Sequence, residues 1–152
     1  MAQTTTSENA QETLFAAFSV REGHYALDAA GIQEVIRLGP LTRVRHAPAE
    51  VAGIMNLRGK IVTVVDLGLR LGLPKALYGN DSRILIVESR GEFIGLLVDQ
   101  VDDVMEVEPG DWEPLPANLS SGQARFFQGV CRDKGRVISI LDADRILTQG
   151  ED

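Results

Sequence analysis

The chain has 152 residues, 44% of them hydrophobic and 24% charged, with one cysteine and a formal net charge of -7. That size limits it to one ordinary domain or two very small ones. A lone cysteine excludes an intrachain disulfide, and the acidic balance argues against a nucleic-acid partner, whose phosphates need a basic surface.

The N-terminus, "MAQTTTSENAQET", has neither the basic start nor the apolar stretch of a secretory signal. Residues 1–12 are expected to be a disordered polar tail ahead of a single domain over 13–150. No apolar run is long enough to span a bilayer, so no direct membrane insertion is expected, and the cysteine usage fits a cytoplasmic protein. "LFAAFSV" (Leu14–Val20) and "YAL" then read as a hairpin around Arg21–His24, rich in residues that pack on a pleated surface. "IQEVI" (Ile32–Ile36) reads as strand-like. Next comes "GIMNLRGKIVTVVDL" (Gly53–Leu67), two apolar runs about a turn, with Gly59-Lys60 expected as the turn pair. Asp66 is placed to cap a short helix ending at Gly72. "LPKALYGNDS" (Leu73–Ser82) reads as a seam.

The second half repeats this order. "RILIVES" and "EFIGLLV" form a hairpin around Arg90-Gly91, and "VDDVM" (Val101–Met105) echoes "IQEVI". The loop "EPGDWEPLPANLSSGQA" (Glu108–Ala124) is long for a compact domain. Its prolines stiffen the first part and Ser120-Ser121-Gly122 loosen the second. Trp112 within it is expected to cover the core, with an interface role as the alternative. "GVCRDKGRVISILD" (Gly129–Asp142) matches Gly53–Asp66 in residue class at an offset of 76, except where Asn56 and Leu57 face Arg132 and Asp133. Gly135-Arg136 is the corresponding expected turn, and Asp142 the cap of a helix ending at Gly150. The chain is thus an internal duplication. The fold class is mainly β: about five short strands per unit, each unit a small closed barrel, and a short helix after the last strand of each. Two such units packed side by side bury what neither could bury alone. Their seam is expected near 73–82, with the ends free to cross over.

Charge divides along the same line. Residues 1–76 hold eight Lys/Arg and seven Asp/Glu; residues 77–152 hold seven and fifteen. This is either a solvated acidic face or a molecule whose ends face different partners.

Chemistry is hard to find. His24 and His46 have no metal-ligand spacing with each other or with Cys131. Cys131 faces Met55 in the duplication and reads as a buried strand residue. Asp99, Asp102 and Asp103 lack the glycine and terminal glutamate of a calcium loop and read as strand-end surface charges. No nucleophile elbow or phosphate-cradling loop is present, so no metal, no cofactor and no enzymatic activity are expected.

What does stand out is Asn56, Leu57 and Arg58 before Gly59. The second copy makes the same turn with ordinary charged residues, so the fold does not require this triplet. It reads as a small binding patch. The plainer alternative is that Leu57 tucks inward and Arg58 lies along the surface over apolar neighbours.

At "P-x-x-x-x-G-I-M-N-L-R-G-K-I-V" after Pro48, the sequence resembles the CheW family of bacterial chemotaxis coupling proteins. The likeness covers roughly Thr13 to Leu147 and includes "YAL" with "IQEVI", "GLLVDQVDDV" and "ISILDADRIL". Thr63 stands where the family often has proline. The resemblance implies two SH3-like five-stranded β-barrel subdomains and a scaffold without catalysis. It implies two partners, the cytoplasmic tip of chemoreceptors (methyl-accepting chemotaxis proteins) and the regulatory domain of the CheA histidine kinase, and recruitment to membrane-bound receptor arrays. The alternative it implies is a CheW-like adaptor of a different chemosensory pathway, such as twitching motility or developmental signalling. It also implies candidate receptor-binding residues: Arg58 with Asn56, Leu57 and Gly59, and Glu34, Val35 and Ile36. Val35 and Ile36 have core packing as their alternative, and the strand period of two expects one to face in and one out. Edge strands and hydrophobic turns of a barrel are the expected kinase contact.

Overall fold

A computed structural model describes residues 14–115 and 124–148. The expected tail over 1–12, Ser120-Ser121-Gly122 and Gly150 lie outside the described residues.

The first half gives β1 (Leu14–Val20), β2 (Gly23–Asp28), β3 (Ile32–Arg37), β4 (Val51–Leu57), β5 (Lys60–Asp66) and the short helix α1 (Leu67–Arg70). The second gives β6 (Arg83–Ser89), β7 (Glu92–Val98), β8 (Gln100–Glu106), β9 (Phe127–Asp133), β10 (Arg136–Leu141) and α2 (Ala143–Leu147). Asp66 accepts a hydrogen bond from the Leu69 amide and caps α1; Asp142 accepts from the Asp144 and Arg145 amides and caps α2. Gly72, at φ +84°, takes the left-handed conformation that ends α1.

The strands form two five-stranded sheets, in the orders β8-β1-β2-β10-β9 and β3-β6-β7-β5-β4. Each sheet therefore takes its hairpin from one half of the sequence and its other three strands from the other half. Each exchanged hairpin is held on both sides, by the parallel ladders β2 with β10 and β5 with β7 and by the antiparallel ladders β1 with β8 and β3 with β6. The connection Leu73–Ser82 joins α1 to β6, elements flanking or within one sheet, so the hand-over between sheets lies elsewhere. It occurs at Ala29–Gly31, between β2 and β3, and at Asp99, between β7 and β8. The sheets are curled and SH3-like, but not the closed barrels expected. Among the described residues no ladder joins the outermost strands of either sheet. Isolated bridges, Thr42 to Ile54 and Glu113 to Val130, lay the loops after β3 and β8 on β4 and β9 in the same way.

The hairpin turns fall one residue earlier than expected. Leu57 pairs with Lys60 and Asp133 with Arg136, so the turns are Arg58-Gly59 and Lys134-Gly135. Both residues of each have positive φ (Arg58 51°, Gly59 86°), as a primed hairpin turn requires. The core decides the register: it places Val62 and Val64 fully inside, and a one-residue slip would turn them out.

Three apolar clusters result. Phe15, Ala26, Cys131, Ile138 and Ile140 fill the first sheet, with Trp112 laid edge-on against Phe15 at 5.8 Å, covering the core as expected. Val62, Val64, Ile84, Ile86 and Leu97 fill the second. The largest cluster lies between them: Phe18, Val20 and Leu27 meet Leu85, Leu96 and Val98, with α1 and α2 supplying Leu67 and Ile146.

Arg21, at the β1–β2 turn, ties the two sheets together. Its Nε donates to the Pro74 carbonyl at 2.8 Å, and its Nη1 to Tyr78 Oη at 3.2 Å and Asp99 Oδ1 at 3.1 Å. Its backbone N–H donates to Asp99 Oδ2 at 2.6 Å, and its Nη2 lies 3.8 Å from Asp66. Gly68 leaves room for it, since a Cβ there would sit 2.6 Å from Nη2. Tyr78 in turn donates to Asp66 Oδ1 at 2.6 Å. Burial, and then that hydrogen bond, hold the Tyr78 hydroxyl above its ordinary pKa. Asp99 is therefore a structural anchor and Asp66 more than a cap. Arg70 makes a second tie, donating from Nε to the Ile146 carbonyl at 3.0 Å and from Nη2 to the Thr148 carbonyl.

Candidate functional site at the β4–β5 hairpin

The β4–β5 hairpin carries its turn at one end of the second sheet, next to the outer strand β3. Arg58 occupies the first turn position, where positive φ directs its side chain away from the sheet, and it is 66% exposed. Its Nη1 and Nη2 each donate to one oxygen of Glu34, both at 2.7 Å. This two-pronged pair links the turn to β3, so Glu34 and Arg58, 24 positions apart, meet across the open side of the sheet. The first sheet is spanned near the equivalent turn by a looser pair from neighbouring positions, Arg136 to Asp102 at 3.9 Å. Asn56 is exposed, and its Oδ1 accepts from the Gly59 amide at 3.0 Å, which fixes the turn.

The remaining expected residues divide. Leu57 is partly buried against the Val62 and Ile84 cluster, so it does not stand out beside Arg58; its apolar side chain gains more from the core than from the rim. Ile36 packs on the same cluster, whereas Val35 is 43% exposed, the in-and-out division expected of a strand. Val35 pairs with Leu85, a residue of the cluster between the sheets, so it lies beside that seam. Glu34 pairs with Ile86 of the inner cluster and closes over the other face. The structure thus gathers Glu34, Asn56, Arg58 and Gly59 at one rim and sets Val35 on the opposite face of the same outer strand.

Sequence reasoning missed Ile61. It pairs with Asn56 and is 63% exposed, an apolar shoulder beside the acid–base pair. The period of two carried the signal, since Ile61 alternates with the inward Val62 and Val64, and its counterpart Val137, 76 positions later, is exposed as well. Lys60 lies over the Phe93 ring at 4.7 Å and completes the rim.

An exposed pair of this kind contributes about 0–1 kcal/mol to folding, so a partner can replace either member at little cost. The guanidinium offers a rigid fork to carboxylates or carbonyls, and Ile61 offers apolar area beside it, while Val35 is exposed on the other face of β3. Among the described residues no three His, Cys, Asp or Glu side chains gather in a way that could hold a metal ion. Cys131 is buried in β9, where burial first, and nearby carboxylates second, push its thiol pKa up.

Comparison with known proteins agrees with this architecture. The family model described as the CheW-like domain matches residues 15–151. The chain is 32% identical over 135 residues to "Chemotaxis protein CheW" of Rhizobium meliloti, covering 89% of this chain and 87% of the relative. It is 25% identical over 138 residues to "Protein FrzA" of Myxococcus xanthus, covering 90% and 86%. Among solved structures, the scaffolding protein TtCheW from Thermoanaerobacter tengcongensis superposes with a TM-score of 0.78 at 34% identity, over 86% of this chain and 89% of that one.

Proposed function

Because the chain belongs to the CheW-like family, we propose that it is a non-catalytic scaffold coupling chemoreceptors to a CheA-type histidine kinase. The rim around Arg58 grips the cytoplasmic tip of the receptor. Another surface holds the kinase regulatory domain, and receptor state shifts the kinase between active and inactive populations through the geometry so imposed. The protein works in the cytoplasm and is recruited to receptors at the membrane. The observation that carries the reading is the Glu34–Arg58 pair itself. It is an exposed, low-energy contact with two-pronged geometry, whereas the duplicated copy, which keeps Lys134 and Asp103 at the equivalent positions, is spanned only by the looser Arg136–Asp102 pair. Each contact can be weak, because membership of an array supplies avidity.

The test is co-purification with a CheA-type kinase and a receptor cytoplasmic fragment, separately and together. The proposal requires each binary complex and a ternary one that exceeds both in retention. Binding to neither would remove it. A second reading, an adaptor in a different chemosensory pathway, is supported by the likeness to FrzA. It predicts the same fold and rim with a different kinase, and recovery of partners from the native cell discriminates the two.

A further inference from the structure

The second sheet carries another feature, about 20 Å along β4 from the Arg58 turn at strand rise. Residues 38–50, the connection from β3 to β4, lie over the start of the strand and over the connection 73–82. Between them runs an open groove of about 420 Å³ lined by Leu38, Leu41, Ala52, Leu69 and Leu97, and by Asp66, whose Oδ1 already accepts from the Leu69 amide and Tyr78 Oη. Arg43, Val44 and Lys75 form its lip.

The lip is basic and its charges are unused. Residues 35–49 contain Arg37, Arg43 and Arg45 and no acidic residue, in a chain of net charge -7. Among the described residues, Arg37, Arg43, Arg45 and Lys75 make neither an ion pair nor a hydrogen bond, whereas Arg21, Arg58, Arg70, Arg132 and Arg136 all do. Val44 is 43% exposed and Leu77, on the facing connection, 99%. The loop is also held in place. Thr42 and Ile54 exchange backbone hydrogen bonds of 2.9 and 2.8 Å, and Gly53 permits that approach, since a Cβ there would lie 2.7 Å from the Thr42 carbonyl oxygen. A connection this long, pinned and basic exceeds what a chain reversal needs.

The duplicated copy shows that the fold does not impose this arrangement. There the corresponding loop is pinned by the Glu113–Val130 bridge, but the equivalent hollow, of about 650 Å³ with Trp112 and Phe15 in its wall, is acidic: Asp28, Asp142 and Asp144 line it and the loop carries Glu108, Asp111 and Glu113.

We propose that this groove docks a short segment of a partner protein that carries carboxylates around one or two apolar side chains. The apolar side chains enter between Leu41 and Leu69, and the carboxylates meet Arg43 and Lys75, with Arg37 and Arg45 widening the attractive field. A nucleic acid is the wrong polyanion, because the second half of the chain carries fifteen acidic residues against seven basic and repels an extended phosphate backbone. A second copy is a poor occupant as well. The acidic loop it would offer has its apolar residue, Trp112, packed onto Phe15. The site is separate from the Arg58 rim and does not rest on it.

The probe is a short fluorescent peptide of leucines and glutamates at helical spacing, titrated against the full chain by anisotropy. The isotope-labelled protein is followed in parallel by amide chemical shifts. We expect saturable binding that weakens with salt, shifts centred on residues 38–50 and 69–78, and loss of about ten-fold or more in affinity for the double variant Arg43→Glu, Lys75→Glu. Arg90→Glu, an exposed cation away from the groove, leaves affinity unchanged. Equal binding of the glutamine-for-glutamate peptide, shifts mapping elsewhere, or full affinity in the double variant would each overturn the proposal. So would self-association of the chain that the same double variant abolishes, since it would assign the groove to a second copy.

Discussion

Two arginines at hairpin turns, Arg21 and Arg58, look alike in sequence and should behave in opposite ways when removed. Arg21 has a side chain 14% exposed and bonds three groups of the second sheet and its flanks: the Pro74 carbonyl, Tyr78 Oη and Asp99. Replacing it with methionine keeps most of the packing volume and deletes those bonds. Hydrogen bonds to charged groups contribute roughly 1.5–3 kcal/mol each, and removing one partner of a buried pair costs about 3–5 kcal/mol. Asp99 is 29% exposed and recovers water, and Asp66 keeps the Leu69 amide and Tyr78 as donors, which lowers the sum. We therefore expect Arg21→Met to lose about 2–4 kcal/mol. That is a fall in Tm of roughly 5–15 °C for a domain of this size. Arg58→Met removes an exposed pair and should stay within about 1 kcal/mol of the parent. Urea unfolding followed by Trp112 fluorescence and by circular dichroism measures both, with m-values held to the parent's as a check on the reference states. Equal losses for the two variants, or a loss under about 1 kcal/mol for Arg21→Met, would refute the assignment of Arg21 as the tie between the sheets.

The remaining predictions concern burial. Tyr25 and Tyr78 are the only tyrosines, and burial is the first cause that raises both above the ordinary value of 10.0. The folded state thus prefers the neutral phenols. Its stabilisation from them is complete below the unfolded pKa and is lost as pH rises from about 10 through the folded values. Phenolate absorbance should appear in the folded protein only above its appearance in urea, and an ordinary titration in the folded state would contradict this. Gly95→Ala places a methyl 2.6 Å from Ile84 Cγ2 in a fully buried layer, and should cost about 1–3 kcal/mol by urea unfolding. Cys131, 1% exposed with a raised thiol pKa, should react with a thiol reagent only on unfolding, so labelling at the rate of a free thiol in native buffer would count against its burial.

Much of this fold is written locally. The duplication was visible because the two long hairpins, Gly53–Asp66 and Gly129–Asp142, alternate in the same way. The capping aspartates and Trp112 followed from what stands next to them. The exchange of hairpins between sheets was not visible, because β2 meets β10 and β5 meets β7 through ladders whose partners lie far apart in sequence. The turn positions were off by one because arginine and lysine at positive φ are uncommon, and only the burial of Val62 and Val64 selects that register. At the site, Asn56 and Leu57 stood out from the contrast between the two copies, whereas Arg58 faces Lys134 there and its role was legible through the family resemblance. Its partner Glu34 was legible as a candidate but not as a partner, since nothing in the sequence brings β3 to the β4–β5 turn. Arg21 was missed because a charged residue at a hairpin turn ordinarily reads as solvated.

The central proposal, that the rim at Arg58 exists to hold a receptor rather than to hold the fold, is tested most directly by one variant in one assay. Arg58→Glu sets like charges beside Glu34 and reverses the fork offered to a partner. In arrays reconstituted from this protein, a CheA-type kinase and a receptor cytoplasmic fragment, kinase activity is measured with and without receptor ligand. We expect the variant to unfold within a few degrees of the parent, roughly the range a lost surface pair allows, and to leave the kinase without receptor control. Full receptor control by a well-folded Arg58→Glu protein would contradict the proposal.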